Sequence, residues 1–407
     1  MRKILRVEMR HHSPKGKASS QELAFFSYGF RPFFLSAALF VGVAIPIWVF
    51  IFAGSGNMAF LYAPRDWHAH EMTFGFLPCV IAGFLLTAMP NWTDRPPIRG
   101  WPLMLLVTLW LAGRLAIVLP WFSPLASAIV DAAFLVVMAG VVWREIVASK
   151  AWDRLPMGML MSLYASANIL FHVLWLSDAA TNFAERMALA LVMVLLALIG
   201  GRVTSGFTED FLVQQGMAKR PVPFSPFDGI ALVSIGIAAI AWMLDPQAIM
   251  TGWMLIVGGV INLVRLIRWH GWLTWREPLV LVLHVGYGWL VMALLAIGGA
   301  SLGGGLPMED ALHALTTGAV GVMTLAVMTR ASLGHTGRIK HAGPLTVMIY
   351  LLVNLGAILR VFGPGIDISS TIVLGVAALC WSGAYMLFVV GYGCILLGRS
   401  VEEALPQ

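Results

Sequence analysis

Charge is what this sequence has least of. Asp, Glu, Lys and Arg make up 11% of its 407 residues, where a soluble globular domain carries roughly 25%. A chain of this length would otherwise divide into two or three soluble domains, and these charges are too few to solvate their surfaces. Cysteine is nearly absent. Cys79, Cys380 and Cys394 all stand within apolar runs, with no paired or CxxC spacing, which excludes a disulfide framework and thiolate zinc sites. The zinc-protease word HExxH is missing as well. The first 25 residues carry Arg2, Lys3, Arg6, Arg10, Lys15 and Lys17. They lack the apolar stretch and small-residue cleavage site of a signal peptide, and they read as a cytoplasmic basic tail in which His11 and His12 are solvated. No nucleic-acid partner is expected. The net charge is +6, but the basic residues lie in short loops and form no stripe interleaved with aromatics.

What is present is apolar surface. Hydrophobic residues make up 59% of the chain and fall in blocks of about 20, the length that crosses a bilayer as a helix. The blocks do not alternate apolar and polar residues, so they are not barrel strands. In lipid every backbone polar group must be paired internally, which favours helices. The pattern predicts an all-α integral membrane protein with twelve spans: 30–53, 68–90, 101–119, 124–148, 156–176, 183–204, 226–244, 247–268, 277–298, 309–330, 343–361 and 369–397. The longest connection is 205–225. With both termini cytoplasmic, only Arg65, Arg114, Arg186 and Arg360 of the 26 Lys and Arg residues fall toward the outside, so the positive-inside rule fixes the orientation. Arg31-Pro32, Arg154-Leu155-Pro156 and Arg276-Glu277-Pro278 open the first, fifth and ninth spans at nearly equal spacing. A single transmembrane domain, 26–407, built from four-helix units 26–150, 151–272 and 273–400, would account for this. Prolines at helix starts and arginines at cytoplasmic ends would also arise without a repeat.

Ionisable residues inside a membrane are costly and are functional candidates by default. The topology puts His68, His70, His172 and His313 together in the outer third. His284 lies about six residues into the ninth span, roughly 9–12 Å from the inner edge at 1.5 Å per residue. His335 lies in a cytoplasmic turn and is the weaker candidate. Imidazole ligates haem iron and copper while adding no charge, so the outer four are the first-choice ligands and His284 the second. His68 and His70 are about 200° apart around a helix; they point to different sites or lie on an irregular helix start. Any one of these histidines also has a plain reading as a hydrogen-bonded core residue.

Other polar residues leave alternatives open. Arg114 and Asp131 lie at similar depth and read as a structural salt bridge, while Arg114 or Arg360 would also suit haem propionates. Glu71 either orients the His70 imidazole or is a solvated carboxylate favoured by the helix dipole. Asn262, Arg265 and Arg268 share a face, and both arginines are expected to snorkel to the cytoplasmic surface. The methionines form no copper-binding cluster, and tryptophans near helix ends form an ordinary aromatic belt.

Several words carry a resemblance. They are Ser27-Tyr28-Gly29-Phe30-Arg31-Pro32-Phe33-Phe34, Trp67-His68-Ala69-His70-Glu71-Met72, Pro90-Asn91-Trp92-Thr93, Leu283-His284-Val285-Gly286-Tyr287, His313-Ala314-Leu315-Thr316 and the run from Val327 through Gly334-His335-Thr336-Gly337-Arg338. With these the chain resembles the NnrS family along nearly its whole length. The resemblance implies a multi-pass protein of the bacterial inner membrane containing haem, of b type, and copper. It also implies a link to nitric oxide metabolism, denitrification and nitrosative stress. The expectation is binding or redox conversion of NO or a related species, with haem/copper oxidoreductase activity and a quinol or other electron donor left open; a secondary transporter of a nitrosylated or metal-bound compound is the rival. The chain is distantly similar to subunit I of haem–copper oxidases in helix number and in histidines on spans 2 and 10. It lacks their His-Pro-Glu-Val-Tyr word and their paired histidines.

Overall fold

A computed structural model describes residues 24–54, 61–119, 121–365 and 369–401. The predicted basic tail, 1–25, lies almost wholly outside them. Among the described residues there are no strands and twelve helices are long and apolar enough to cross a membrane. They are α1 Phe30–Phe52, α2 Pro64–Thr93, α3 Trp101–Val118, α4 Pro124–Ser149, α5 Trp152–Leu176, α6 Asn182–Gln214, α7 Pro226–Leu244, α8 Ile249–Ile267, α9 Pro278–Ser301, α10 Met308–Gly334, α11 Pro344–Gly365 and α12 Thr371–Leu397. Proline opens many of them, among them α2, α4, α7, α9 and α11, where its missing N–H has no intrahelical partner to lose.

Several predicted spans differ from these helices at their ends, most of all in α6. α6 continues ten residues past its predicted end at 204, so half of the expected loop 205–225 is helix. The hydroxyls of Thr204 and Thr208 donate to the carbonyls of Gly200 and Thr204, which satisfies these polar side chains without leaving the helix. α2 begins four residues before its predicted start, so His68 and His70 lie on regular helix rather than at a frayed end. α10 likewise extends to Gly334.

Burial sorts the helices. In α2, α10 and α9, 83, 72 and 67% of the apolar window is buried, against 33–44% elsewhere. These three form the interior, and the others present one face to lipid. α12 packs back on α1, and α1 also touches α2 and α10, so the two ends of the chain meet. Arg31, at the start of α1, secures that junction. Its fully buried guanidinium donates to the carbonyls of Leu396 (3.0 Å) and Gly398 and to the Ser400 hydroxyl (2.9 Å). The last carbonyls of α12 lack intrahelical donors and carry the negative end of the helix dipole, so a cation there answers both needs.

α2, α6 and α10 each contain a π-helical segment: Glu71–Phe76, Leu196–Gly200 and Ala314–Val320. A π turn leaves carbonyls without their usual partners, and within the membrane these must be satisfied by protein. Trp110 Nε1 donates to Gly75 O and Tyr164 OH to Thr73 O in the first segment. Arg265 Nη1 serves Ala197 O in the second, and Trp381 Nε1 serves Thr317 O in the third.

Replacing Arg31 by Ala strands several buried carbonyls at once. The expected loss is about 3 kcal/mol, the scale of hydrogen bonds to a charged group. Arg31→Lys should recover only part of it. Unchanged thermal unfolding of Arg31→Ala in detergent would show that the α1–α12 junction is held otherwise.

Candidate metal centre

Where α2 faces α4 and α5, three ligand-type side chains converge. His70 projects from α2 immediately before its π segment, Asp131 from the third turn of α4, and His172 from near the end of α5. His70 Nε2 lies 3.2 Å and His172 Nε2 2.9 Å from the same carboxylate oxygen, Asp131 Oδ2. One ligand atom from each residue lies within 4.8 Å of the others, and all three residues are buried. Asn168, one turn before His172, donates to Asp131 Oδ2 at 3.1 Å.

The outer ring nitrogens are held as well. His70 Nδ1 is 3.0 Å from Glu71 Oε1, and His172 Nδ1 is 2.8 Å from the Tyr62 hydroxyl. A carboxylate only accepts, so without a metal His172 donates from Nε2 to Asp131 Oδ2; with a metal in that place, protons on both Nδ1 atoms would be donated to the outer oxygens and both Nε2 lone pairs would face the metal. This is the arrangement in which an outer hydrogen bond fixes the tautomer and ring orientation of a metal ligand. Burial, together with the carboxylates of Asp131 and Glu71, holds the Tyr62 phenol well above its ordinary range, so it remains a neutral hydroxyl.

Charge completes the picture. Arg114, buried on α3, donates through Nη1 to Glu71 Oε1 (2.7 Å) and through Nη2 to Asp131. It approaches α2 over Gly75, where a Cβ would lie 2.2 Å from Nη1, and a Cβ on Gly113 would press on Asp131. Among the described residues Arg114 is the one arginine or lysine paired with these two carboxylates. Two carboxylates meet one guanidinium and two imidazoles here, and either a proton on an imidazole or a cation at the three-ligand point can balance the second carboxylate.

Of the four outer histidines, the structure brings two together: His70 and His172 share the cluster. His68, on another side of α2, stacks on Trp48 of α1 with ring centroids 4.6 Å apart. His313, at the start of α10, donates from Nδ1 to Glu309 O at 2.6 Å, and Arg360 pairs with Asp310 at 2.6 Å. His284 stands apart on α9. Thr208 donates its hydroxyl proton to Thr204 O, so it accepts from His284 Nε2 at 2.8 Å. His284 Nδ1 then faces Gly271, where a Cβ would lie 2.4 Å away. His335 lies just past α10 with its ring against Tyr28 and Phe30.

Several expectations change. Glu71 is fully buried, so the solvated reading gives way to the orienting one. The Arg114–Asp131 salt bridge exists, but Asp131 also lies among the convergent ligands. Arg265 does not snorkel: it is buried and reaches Asp228 Oδ1 (3.2 Å), Tyr287 OH (2.9 Å) and Ala197 O. The inward face of α8 meets α7 and α9 rather than lipid, and it offers acceptors there. Tyr62 was not foreseen, because it lies in the connection before α2, outside any helical periodicity.

The NnrS protein family profile matches residues 24–399. A comparison with curated proteins gives no match.

The three-way ion pair makes a direct demand on stability. Arg114→Gln leaves two carboxylates buried without their cation, and breaking such a pair costs about 3–5 kcal/mol. Gly75→Val, which drives a side chain into the guanidinium, should lower thermal stability in the same direction. A wild-type melting temperature in both variants would rule out the charge arrangement drawn here.

Proposed function

The chain belongs to the NnrS family, and from that premise we propose that it is a haem- and copper-binding protein of the bacterial inner membrane. It acts in nitric oxide metabolism or nitrosative-stress resistance by binding NO, or by its redox conversion, as a haem/copper oxidoreductase. The observation that carries this reading is the buried convergence of His70, Asp131 and His172 on one point.

The donor set fits copper. Two imidazoles and one carboxylate oxygen suit a first-row transition metal. When bound, copper and ferrous haem supply redox centres and open positions for NO or a related small molecule. The protein's own residues do the rest. Glu71 and Tyr62 hold the two rings by their Nδ1 atoms. Arg114 fixes both carboxylates. Phe74 and Phe171 pack against the His70 ring and keep water from it. With both termini cytoplasmic, the cluster lies in the outer half of the membrane, where a quinol or another donor in the bilayer supplies electrons.

A transporter of a nitrosylated or metal-bound compound is the rival. Transporter sites are built from unwound, discontinuous helices. Here α2, α6 and α10 pass through π turns without breaking, which supports a fixed cofactor site instead.

Purified from copper-replete cells, the wild type should carry copper by elemental analysis, and His70→Ala and His172→Ala should lose at least nine-tenths of it. Tyr62→Phe removes only the outer hydrogen bond of His172; it should keep the fold and weaken copper binding 10–100-fold in chelator competition. Copper-free wild type, or full copper in His172→Ala, would defeat the proposal. Substrate counterflow in liposomes carrying metal-free protein would favour the transporter.

A further inference from the structure

α3 and α4 are joined toward the end of one and the start of the other by Arg114 and Asp131. At their opposite ends, between the start of α3 and the end of α4, lies a groove of about 380 Å³ with Arg144 in its wall. We infer that this groove holds an acyl chain of an anionic phospholipid, with the lipid phosphate on Arg144 and Arg95. The inference is independent of the metal centre. Arg144 stands 13 residues after Asp131 on the same helix, or about 20 Å away at 1.5 Å per residue.

Three observations carry it. The first is shape. On α3 the groove is lined by Trp101, Leu105 and Leu109, and on α4 by Val137, Val141 and Arg144. Spacings of three and four put each set on one helix face. Leu106 is buried and lies at the floor, while Trp101, Leu105 and Val137 are exposed. The groove therefore opens away from the bundle, toward lipid. From Trp101 to Leu109 it follows α3 for about 12 Å, in the direction in which acyl chains lie.

The second is the supply of donors. Arg95 and Arg144 close on one buried carboxylate, Glu145. Arg95 Nε donates to Oε2 at 2.5 Å, and Arg144 Nε and Nη2 donate to Oε1 at 2.9 and 2.6 Å. Asp94, just past α2, forms an ion pair with neither arginine. Two guanidinium charges thus meet one carboxylate. Both Nη groups of Arg95 and Nη1 of Arg144 donate to no acceptor among the described residues, and both side chains are partly exposed. A phosphate takes several such donors at once and supplies the second negative charge.

The third is the order of polar and apolar parts. Arg144 and the exposed Trp101 mark one end of the groove, and the rest of its wall is apolar. Tryptophan at a helix end sits at headgroup level, and basic pockets between spans hold anionic lipid headgroups. A charged head above an apolar slot matches a phospholipid. A quinone would offer neutral carbonyl oxygens and leave the extra cation unbalanced.

The test titrates full-length protein in detergent with dioleoyl phosphatidylglycerol or dioleoyl phosphatidylcholine and counts bound lipid by native mass spectrometry. Wild type should bind phosphatidylglycerol more tightly. Arg144→Gln and Arg95→Gln should each weaken that binding about fivefold, the scale of one arginine at an anionic surface, and leave phosphatidylcholine binding unchanged. Each variant keeps one arginine on Glu145, so the melting temperature without added lipid should stay near that of wild type. Val137→Trp fills the slot without touching the charges and should weaken phosphatidylglycerol binding as much. Equal binding of the two lipids by wild type, or unweakened phosphatidylglycerol binding in Arg144→Gln, overturns the assignment. Full binding in Val137→Trp also overturns it, because the phosphate contact would then need no chain in the groove. Stabilisation by a short-chain ubiquinone in place of phosphatidylglycerol, lost in Val137→Trp, would give the groove to a quinone and overturn it as well.

Discussion

The guanidinium of Arg114 between Glu71 and Asp131 is the contact on which the rest of this site depends. A charge in a water-poor interior persists only when paired and hydrogen-bonded, so one arginine fixes α3 against both α2 and α4. Asp131 in turn holds His172 and Asn168 of α5, which brings a fourth helix into register. Gly75 and Gly113 are glycine because larger side chains would occupy the space of the guanidinium and of Asp131. Packing and chemistry are therefore not separable here. The residues that join the helices also leave two imidazoles and a carboxylate oxygen facing one point.

Helix irregularity does a second part of the positioning. The π segments of α2, α6 and α10 fall on every fourth span, and each frees carbonyls that side chains from a neighbouring helix then take up. Such a bond ties the irregular turn to a specific partner, so the bulge becomes a fixed joint. Glu71, the first residue of the first π segment, points its carboxylate back to His70 and across to Arg114. The recurrence at α2, α6 and α10 is compatible with three four-helix units, and the side chains it carries differ between them. Two segments are headed by histidine, while the third meets the buried Arg265, Asn262 and Tyr287 network.

Much of this was legible in the sequence, and the parts that were not share a physical reason. Span number, span order and the NnrS resemblance follow from local properties: apolar run length, proline placement and contiguous words. The opposed directions of His68 and His70 also follow, from helix geometry alone. Convergence is not local. Nothing along the chain tells that His172 meets His70 while His313 stands elsewhere, because depth in the membrane fixes one coordinate and leaves rotation and neighbour free. Arg265 was misread for that reason. An arginine three residues from another near a cytoplasmic helix end looks like a snorkelling side chain until α7 and α9 are seen to supply Asp228 and Tyr287. Tyr62 left no signal because a tyrosine in a connecting segment has no periodicity to break. The extension of α6 to Gln214 was missed because threonines that look like loop residues close their hydroxyls on carbonyls one turn back.

The scarcity of charge then acquires a meaning. Seven acidic side chains are buried among the described residues, and each has a basic partner. Glu145 has Arg95 and Arg144, Glu185 has Arg65, Asp228 has Arg265 and Arg268, and Asp310 has Arg360. Glu277 lies near the surface with His341 and two backbone N–H groups. Glu71 and Asp131 share Arg114 and are faced by the imidazoles of His70 and His172 as well. Thiolate ligands would have added more negative charge to a low-dielectric interior; histidines complete a donor set without doing so, and a proton on an imidazole can balance the carboxylates when no cation is bound.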